Sequence, residues 1–368
     1  MKKRVLLIHQ DTRCLQRECS SEHVILWISK PEGVRIAARR NVEMIHQRSK
    51  GEVGSLPEGL YLFKQEETMW PASANVLLIP DGDGVTLVDV GCGREEVYLR
   101  LKEFLRSRGF RIEDVHTVVL THAHPDHMGA MRCLLEEASP RIYLHPLEIP
   151  LAAEPSRLNH TFDMALPFRY GMAAIPREQA DIIEYFRAFC PMARVVASHP
   201  LLPGETIALG EFSFEVILTS GHAPGLVSLF ERRTGLLFSS DAVGDVVTWY
   251  TPSSGGLIAF LEGLDRLSLL PARLLIPSHG GPSPCPREEI ERTRRHLIKR
   301  EERIVRELAA GPLSFPELAG RVFRDPLISF FPGPQIIQCH LDKLQAEGRV
   351  RLGGEEEGWP VDLCSNGG

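Results

Sequence analysis

Directly after the apolar run Val118-Val119-Leu120, the chain reads Thr121-His122-Ala123-His124-Pro125-Asp126-His127, which puts three imidazoles and a carboxylate within six residues. Four such side chains at the end of a strand cannot be core filling, because each buried polar group needs a partner. A metal ion is such a partner. Neutral imidazole and carboxylate suit zinc, and residues two apart on extended chain point to one side, so His122 and His124 can reach the same ion. Asp126 and His127, at the turn into the following helix, face a second position.

The elements that position this run can be read on either side of it. Residues 60–63, 75–79 and 85–90 read as consecutive strands, the last two joined by the tight turn Asp81-Gly82-Asp83-Gly84. Residues 95–108 carry Val97, Leu101 and Phe104 at helical spacing, and 115–120 form the strand that ends at the histidines. Strand signals recur at 141–144, 193–197, 211–218, 227–231, 235–239 and 274–277. The stretch 150–193 is rich in Met, Phe and Pro, with a helical pattern over 177–189, and its length predicts a substrate-facing lid with an apolar lining. His160, Phe168 and Tyr170 are its candidate substrate contacts. Its composition predicts a small-molecule substrate with an apolar portion.

Three helical segments at 287–308, 314–322 and 334–347 and a hairpin over 349–363 predict a winged-helix-like module at 286–368. That module carries 13 Lys+Arg and 14 Asp+Glu, and its expected recognition helix has one basic residue, Lys343. Such a surface is poor for nucleic acid and favours packing on its own chain or on a second copy in a homodimer. Residues 1–57 form an N-terminal extension to which no function is assigned.

The whole chain has 368 residues, 42 Lys+Arg against 48 Asp+Glu, and 43% hydrophobic residues. This length exceeds one ordinary domain, the apolar fraction excludes a largely disordered chain, and no apolar run is long enough to cross a bilayer. A net charge of −6 gives no bulk attraction to phosphate backbones or anionic membranes. Eight scattered cysteines without a C-x-x-C pair predict reduced, inert thiols, Cys92 included, and a cytoplasmic location.

The histidine run resembles the H-x-H-x-D-H motif of the metallo-β-lactamase superfamily. The resemblance implies a third ligand to the first metal in a G-H-x-P-G turn, matched by His222 in Gly221-His222-Ala223-Pro224-Gly225. It implies a bridging aspartate, matched by Asp241 after Phe238-Ser239-Ser240, where Ser240 replaces the family's more usual glycine. It implies a last ligand, matched by His279 in Ser278-His279-Gly280, and a D-x-G turn whose carboxylate, here Asp89, orients a ligand imidazole. The resemblance covers residues 58–285 and implies an α+β, four-layer αββα sandwich. With its C-terminal module the chain is similar to the group of the β-lactamase-like endoribonuclease and many bacterial hydrolases. Glyoxalase-II-type thioesterases share the core motifs, but a glutathione-binding basic cluster is not visible here.

The resemblance implies two Zn2+ ions sharing a hydroxide that attacks an ester, a thioester or a related bond, with Asp126 orienting the nucleophile. Iron or manganese are the alternative ions, since the same ligands accept them. A single iron held by His122, His124 and His222 would resemble persulfide dioxygenases. An endoribonuclease or phosphodiesterase is a third reading, against which the acidic balance stands.

Overall fold

The computed structural model describes residues 56–65, 72–173, 181, 184, 186, 189–245, 248–325, 328 and 331–364, together with the backbone of two earlier strands. The chain divides into two compact units, 1–42 and 43–368. The first contains an antiparallel pair, β1 (Ile25–Ser29) and β2 (Arg35–Arg39). The apolar run at 5–8 and most of the helical pattern at 177–189 lie outside the described residues.

In the second unit, β3 (Tyr61–Phe63), β4 (Val76–Asp81), β5 (Gly84–Val88), β6 (Val115–Val119), β7 (Arg141–Leu144) and β8 (His199–Pro200) form one sheet in that order. The first three strands are antiparallel and the rest parallel. Asp81 pairs with Gly84 across the turn read in the sequence, with Gly82 at φ 66°. The strand expected at 193–197 is absent. Val195 is buried there, but its amide donates to the Ala152 carbonyl rather than to a neighbouring strand, so no ladder forms.

The second sheet has the order β13 (Leu274–Pro277), β12 (Leu236–Ser240), β11 (Val227–Glu231), β10 (Phe212–Leu218) and β9 (Thr206–Leu209). Strand β9, which the sequence reading lacked, pairs with β10 through a hairpin at Gly210. The sheets face each other: Leu77, Ile79, Val88 and Val119 of one share a core with Phe214, Val216, Leu229, Phe238 and Ile276 of the other. Strands β5 and β11 are buried along both faces, as middle layers require.

Helices cover the outer faces and complete the αββα sandwich. Helix α1 (Glu95–Ser107) buries Val97, Leu101 and Leu105, and Tyr98 and Lys102 tie it to Glu137 of α3 (Met131–Glu137), which follows the short α2 (Pro125–Met128). Three helical pieces follow β7 at the start of the stretch read as a lid: α4 (Ile149–Ala153), α5 (Leu158–Thr161) and α6 (Leu166–Arg169). Helix α7 (Gly256–Ser268) lays Leu257, Phe260, Leu264 and Leu267 on the second sheet, and Ile290 and Leu297 of α8 (Pro286–Leu308) join the same core.

The C-terminal part adds α9 (Phe315–Val322), α10 (Gly333–Ala346) and a three-stranded sheet of β14 (Leu313–Ser314), β16 (Pro360–Leu363) and β15 (Val350–Leu352). Ser314 and Glu317 form a reciprocal cap at the start of α9. Helix α10 is shared between two cores: Ile336 and Cys339 belong to the sandwich, and Ile337, Leu341 and Leu344 to the C-terminal cluster. Each fully buried aliphatic side chain contributes about 1.5–3 kcal/mol, so this division welds the C-terminal elements to the sandwich.

At that junction His340 is fully buried, with Nε2 2.8 Å from the Tyr250 hydroxyl, which Arg300 also reaches at 2.9 Å. Burial, reinforced by Arg300 and only partly opposed by Glu301, holds the His340 imidazole down to about 4 from 6.5. The unfolded chain therefore binds the extra proton between these values, and stability must fall as pH drops through that window. At about 1.4 kcal/mol per pH unit, His340 should cost about 2 kcal/mol by pH 5. Thermal unfolding at pH 7 and pH 5 checks this. The acid-induced drop in Tm should be smaller in His340→Gln, and equal drops in both proteins would refute the assignment.

Candidate metal centre

His122 and His124 follow β6, with His124 in extended backbone at φ −77° and ψ 150°. Pro125 takes the first position of α2, where its missing amide is harmless, and this places Asp126 and His127 in the first turn. His222 lies in the loop between β10 and β11, behind Gly221 at φ 117°, where an added Cβ would sit 2.7 Å from that of Phe260. Asp241 follows β12 and His279 follows β13.

Folding brings all seven together. Potential ligand atoms of His122, His124 and His222 lie within 4.8 Å of one another, and the same holds for His122, His127 and Asp241 and for Asp126, His127 and His279. Asp241 Oδ2 is 3.2 Å from His222 Nε2, while its Oδ1 is 3.3 Å from His127 Nε2 and 3.6 Å from His279 Nε2. Asp126 Oδ2 is 3.3 Å from His279 Nε2. The His122, His124, His127 and His222 rings are buried, whereas the His279 and Asp126 side chains are 20% and 13% exposed and mark the open side.

This cluster fits a cation. Nε2 of His122, His127 and His222, Nδ1 of His124 and Oδ1 of Asp241 are buried without a hydrogen bond. Each unsatisfied group would cost about 1–3 kcal/mol, a penalty that a shared metal removes. Burial, with repulsion among neighbouring imidazoles, keeps His122 and His124 far below the usual histidine range, in the neutral form that ligates. Burial also opposes protonation of His127 and His279, but Asp241 and Asp126 outweigh it and raise both.

Hydrogen bonds behind the cluster set which nitrogen faces it. His127 Nδ1 donates to Asp89 Oδ2 at 2.8 Å, and Asp89, itself fully buried, also accepts from the Thr121 amide and hydroxyl at 2.8 and 2.9 Å. His222 Nδ1 donates to the Trp249 carbonyl at 2.8 Å. In the neutral, ligating form of both rings Nε2 then carries the lone pair and faces the gap. Asp89→Asn turns an NH2 toward the His127 Nδ1–H, so it should weaken metal binding about 10–100-fold. Competition with a chromogenic chelator measures this, and unchanged affinity would remove Asp89 from the orienting role.

Ser240, where glycine was more usual, sits at φ 49°, which explains the preference for glycine. Its hydroxyl donates to Thr121 Oγ1 at 2.8 Å, a contact glycine cannot make. Sequence reasoning missed two aromatic residues beside the cluster and a third packed against them. The Phe162 and Trp249 rings lie 4.8 and 5.8 Å from that of His124, and Phe331, from the C-terminal part, lies 5.9 Å from Phe162 and 5.5 Å from Trp249. Phe162 falls within the stretch 150–193 but is not among its candidate contacts, and no local pattern marks Trp249 or Phe331.

The lid residues separate. Tyr170 is buried, stacked on Phe315 at 3.6 Å and edge-on to Trp359, and its hydroxyl donates to Gln338. It anchors this segment in the C-terminal core, which offers both an apolar slot and an acceptor. His160 is exposed and Phe168 half-buried, and it is Phe162 of the same segment that takes the place beside His124. The expectation of inert, reduced cysteines is also corrected: Cys92, beside the Asp89 turn, is joined by a disulfide to Cys190 at the end of the lid, with their Cα atoms 5.3 Å apart. Cys133, Cys285, Cys339 and Cys364 are free. Among the described residues no helix is long and apolar enough to cross a membrane.

Residues 69–279 match the family model described as the metallo-beta-lactamase superfamily, more than half of the chain. A probable metallo-hydrolase of Bacillus subtilis is 24% identical over 302 residues, covering 75% of this chain and 89% of its own. A beta-lactamase-like protein 2 homolog of Drosophila melanogaster is 23% identical over 285 residues, covering 76% of this chain and 84% of its own. Among solved structures, a metallo-beta-lactamase family protein of Thermus thermophilus superposes with a TM-score of 0.68 at 26% identity, over 84% of this chain and 100% of that one. A beta-lactamase domain protein of Burkholderia ambifaria, at 21% identity and a TM-score of 0.71 over 85% and 94%, shares the fold.

Proposed function

The chain belongs to the metallo-beta-lactamase superfamily of metal-dependent hydrolases, and from that premise we propose a binuclear hydrolase of small esters, thioesters or related compounds with an apolar portion. One observation carries the reading: potential ligand atoms converge in two sets, His122, His124 and His222 in one and Asp126, His127 and His279 in the other, with Asp241 in reach of both, and those of His122, His124, His127, His222 and Asp241 are buried without a hydrogen bond. His122, His124 and His222 would hold one divalent ion, Asp126, His127 and His279 a second, with Asp241 between them. Zinc suits this nitrogen and oxygen set. A bound metal pair supplies an activated water and polarises the oxygen of the bond to be cleaved.

The protein's own groups do the rest. Asp126, at the open side, accepts from and orients the attacking water. Asp89 and the Trp249 carbonyl keep two imidazoles in the ligating tautomer. Trp249, Phe162 and Phe331 exclude water on the His124 side and favour an apolar substituent there. We read residues 58–285 as the catalytic domain and 286–368 as a winged-helix-like module whose role is packing, with Phe331 reaching the site.

Elemental mass spectrometry of protein purified without added metal tests the reading, alongside a panel of thioesters, esters, lactones and phosphodiesters. About two zinc ions per chain, with thioester or ester turnover lost to a chelator and restored by zinc, is the expected result. About one iron per chain with oxygen uptake on a persulfide would overturn it.

A further inference from the structure

We propose that Glu148 is a positioning residue that clamps the loop of His122 and His124 to the loop of His222, so that three ligands from distant parts of the chain form one ion site. Glu148 stands immediately before α4 and is fully buried. Its Oε2 accepts from the Ala123 amide at 3.0 Å, and its Oε1 from the Gly225 amide at 2.7 Å. Ala123 lies between the first two ligand histidines, and Gly225 lies three residues after the third. One carboxylate therefore bonds to the backbone of both loops.

A carboxylate without a counter-cation is an expensive group to bury, and an apolar residue would serve packing better. Burial lifts its carboxyl to about 7, against the pull of the two amides. Hydrogen bonds to a charged acceptor contribute about 1.5–3 kcal/mol each, and without Glu148 two buried amides would lack their partner. The surroundings are shaped for this approach. A Cβ on Gly225 would lie 2.4 Å from His145 Nδ1 and 2.9 Å from Glu148 Cγ, so only glycine lets the loop come this close. His145 Nδ1 in turn accepts the Leu147 amide at 3.2 Å, fixing the turn that presents Glu148. The two loops are joined directly by Val227 N to Thr121 O at 3.1 Å, and Glu148 ties them at a second point nearer the ligands.

The effect on metal rests on the metal-site reading above, but the clamp itself can be observed without metal. Amide hydrogen exchange on the full-length, metal-free protein should show the Ala123 and Gly225 amides protected, with protection falling at least about tenfold in the near-isosteric Glu148→Gln. In zinc titrations the same variant should bind the ion of His122, His124 and His222 about 10–100-fold more weakly and keep the other, so that limiting zinc leaves about one ion per chain. Leu344→Ala, a cavity variant in the C-terminal core, controls for general destabilisation and should move neither readout. Wild-type protection in Glu148→Gln would overturn the clamp, as would equal losses in Leu344→Ala. If the clamp signature appears but the unmutated chain binds no metal pair, the binuclear reading fails and the clamp stands.

Discussion

Asp241→Ala removes metal and turnover together. Among the described residues Asp241 is the one carboxylate whose two oxygens face both histidine sets, with His222 on one side and His127 and His279 on the other. Its own proton affinity is held far down because those imidazoles outweigh the cost of burying the charge, so it is anionic at any working pH. Without it, each prospective ion loses a ligand and the two sets lose the group that holds them at a fixed separation. Residues that act as a unit show losses far larger than any single contact, so we expect kcat/KM to fall at least about a thousandfold, with metal content below two per chain. Elemental analysis and turnover of the same preparation check this. A variant that keeps both ions and a substantial share of its activity would show that Asp241 is not shared.

Asp126→Ala should separate chemistry from folding. The Asp126 side chain is partly exposed, and its Oδ2 faces His279 at 3.3 Å and His127 at 3.9 Å. Its structural contribution runs through the backbone, since its carbonyl accepts the Ala74 amide at 3.0 Å whatever the side chain. The variant should therefore keep a Tm close to that of the unmutated protein while kcat falls at least about a hundredfold, the usual scale for losing a proton-handling group. A zinc titration run beside the kinetics shows how much of the loss comes from the ion of His127 and His279. Near-normal kcat would exclude Asp126 from the reaction, and a large drop in Tm would show that the side chain supports the fold.

The centre was legible because its grammar is local. His122 and His124 share a side through extended backbone, and Pro125 starts the helix that turns Asp126 and His127 inward, all within one short run. The turn at Asp81-Gly82-Asp83-Gly84, the periodic face of α1 and the cap at Ser314 are equally local, each encoded by neighbours in the chain. Ser240 marks the boundary of such reasoning. As a residue type it looked like a departure, and only its backbone angle and its bond to Thr121 show why glycine or a short hydroxyl residue fits there.

Tertiary structure decided what no spacing encodes. The stretch after β7 stood out by length and composition, but whether Phe162 or Tyr170 came to lie beside His124 depended on which apolar slots the C-terminal elements offered. Tyr170 went to Phe315 and Gln338, while Phe162 met His124. The Cys92–Cys190 link, the carbonyl of Trp249 on His222 and the two amides on Glu148 likewise join segments far apart in sequence. Hydrogen-bond caps, turns and strand periodicity are properties of a few consecutive residues, so the amino-acid order by itself determined the ligand types and the elements that carry them. Buried polar groups and aromatic faces are satisfied by whatever the packed chain brings against them, and those pairings existed only once the two sheets and the C-terminal helices had closed around the cluster.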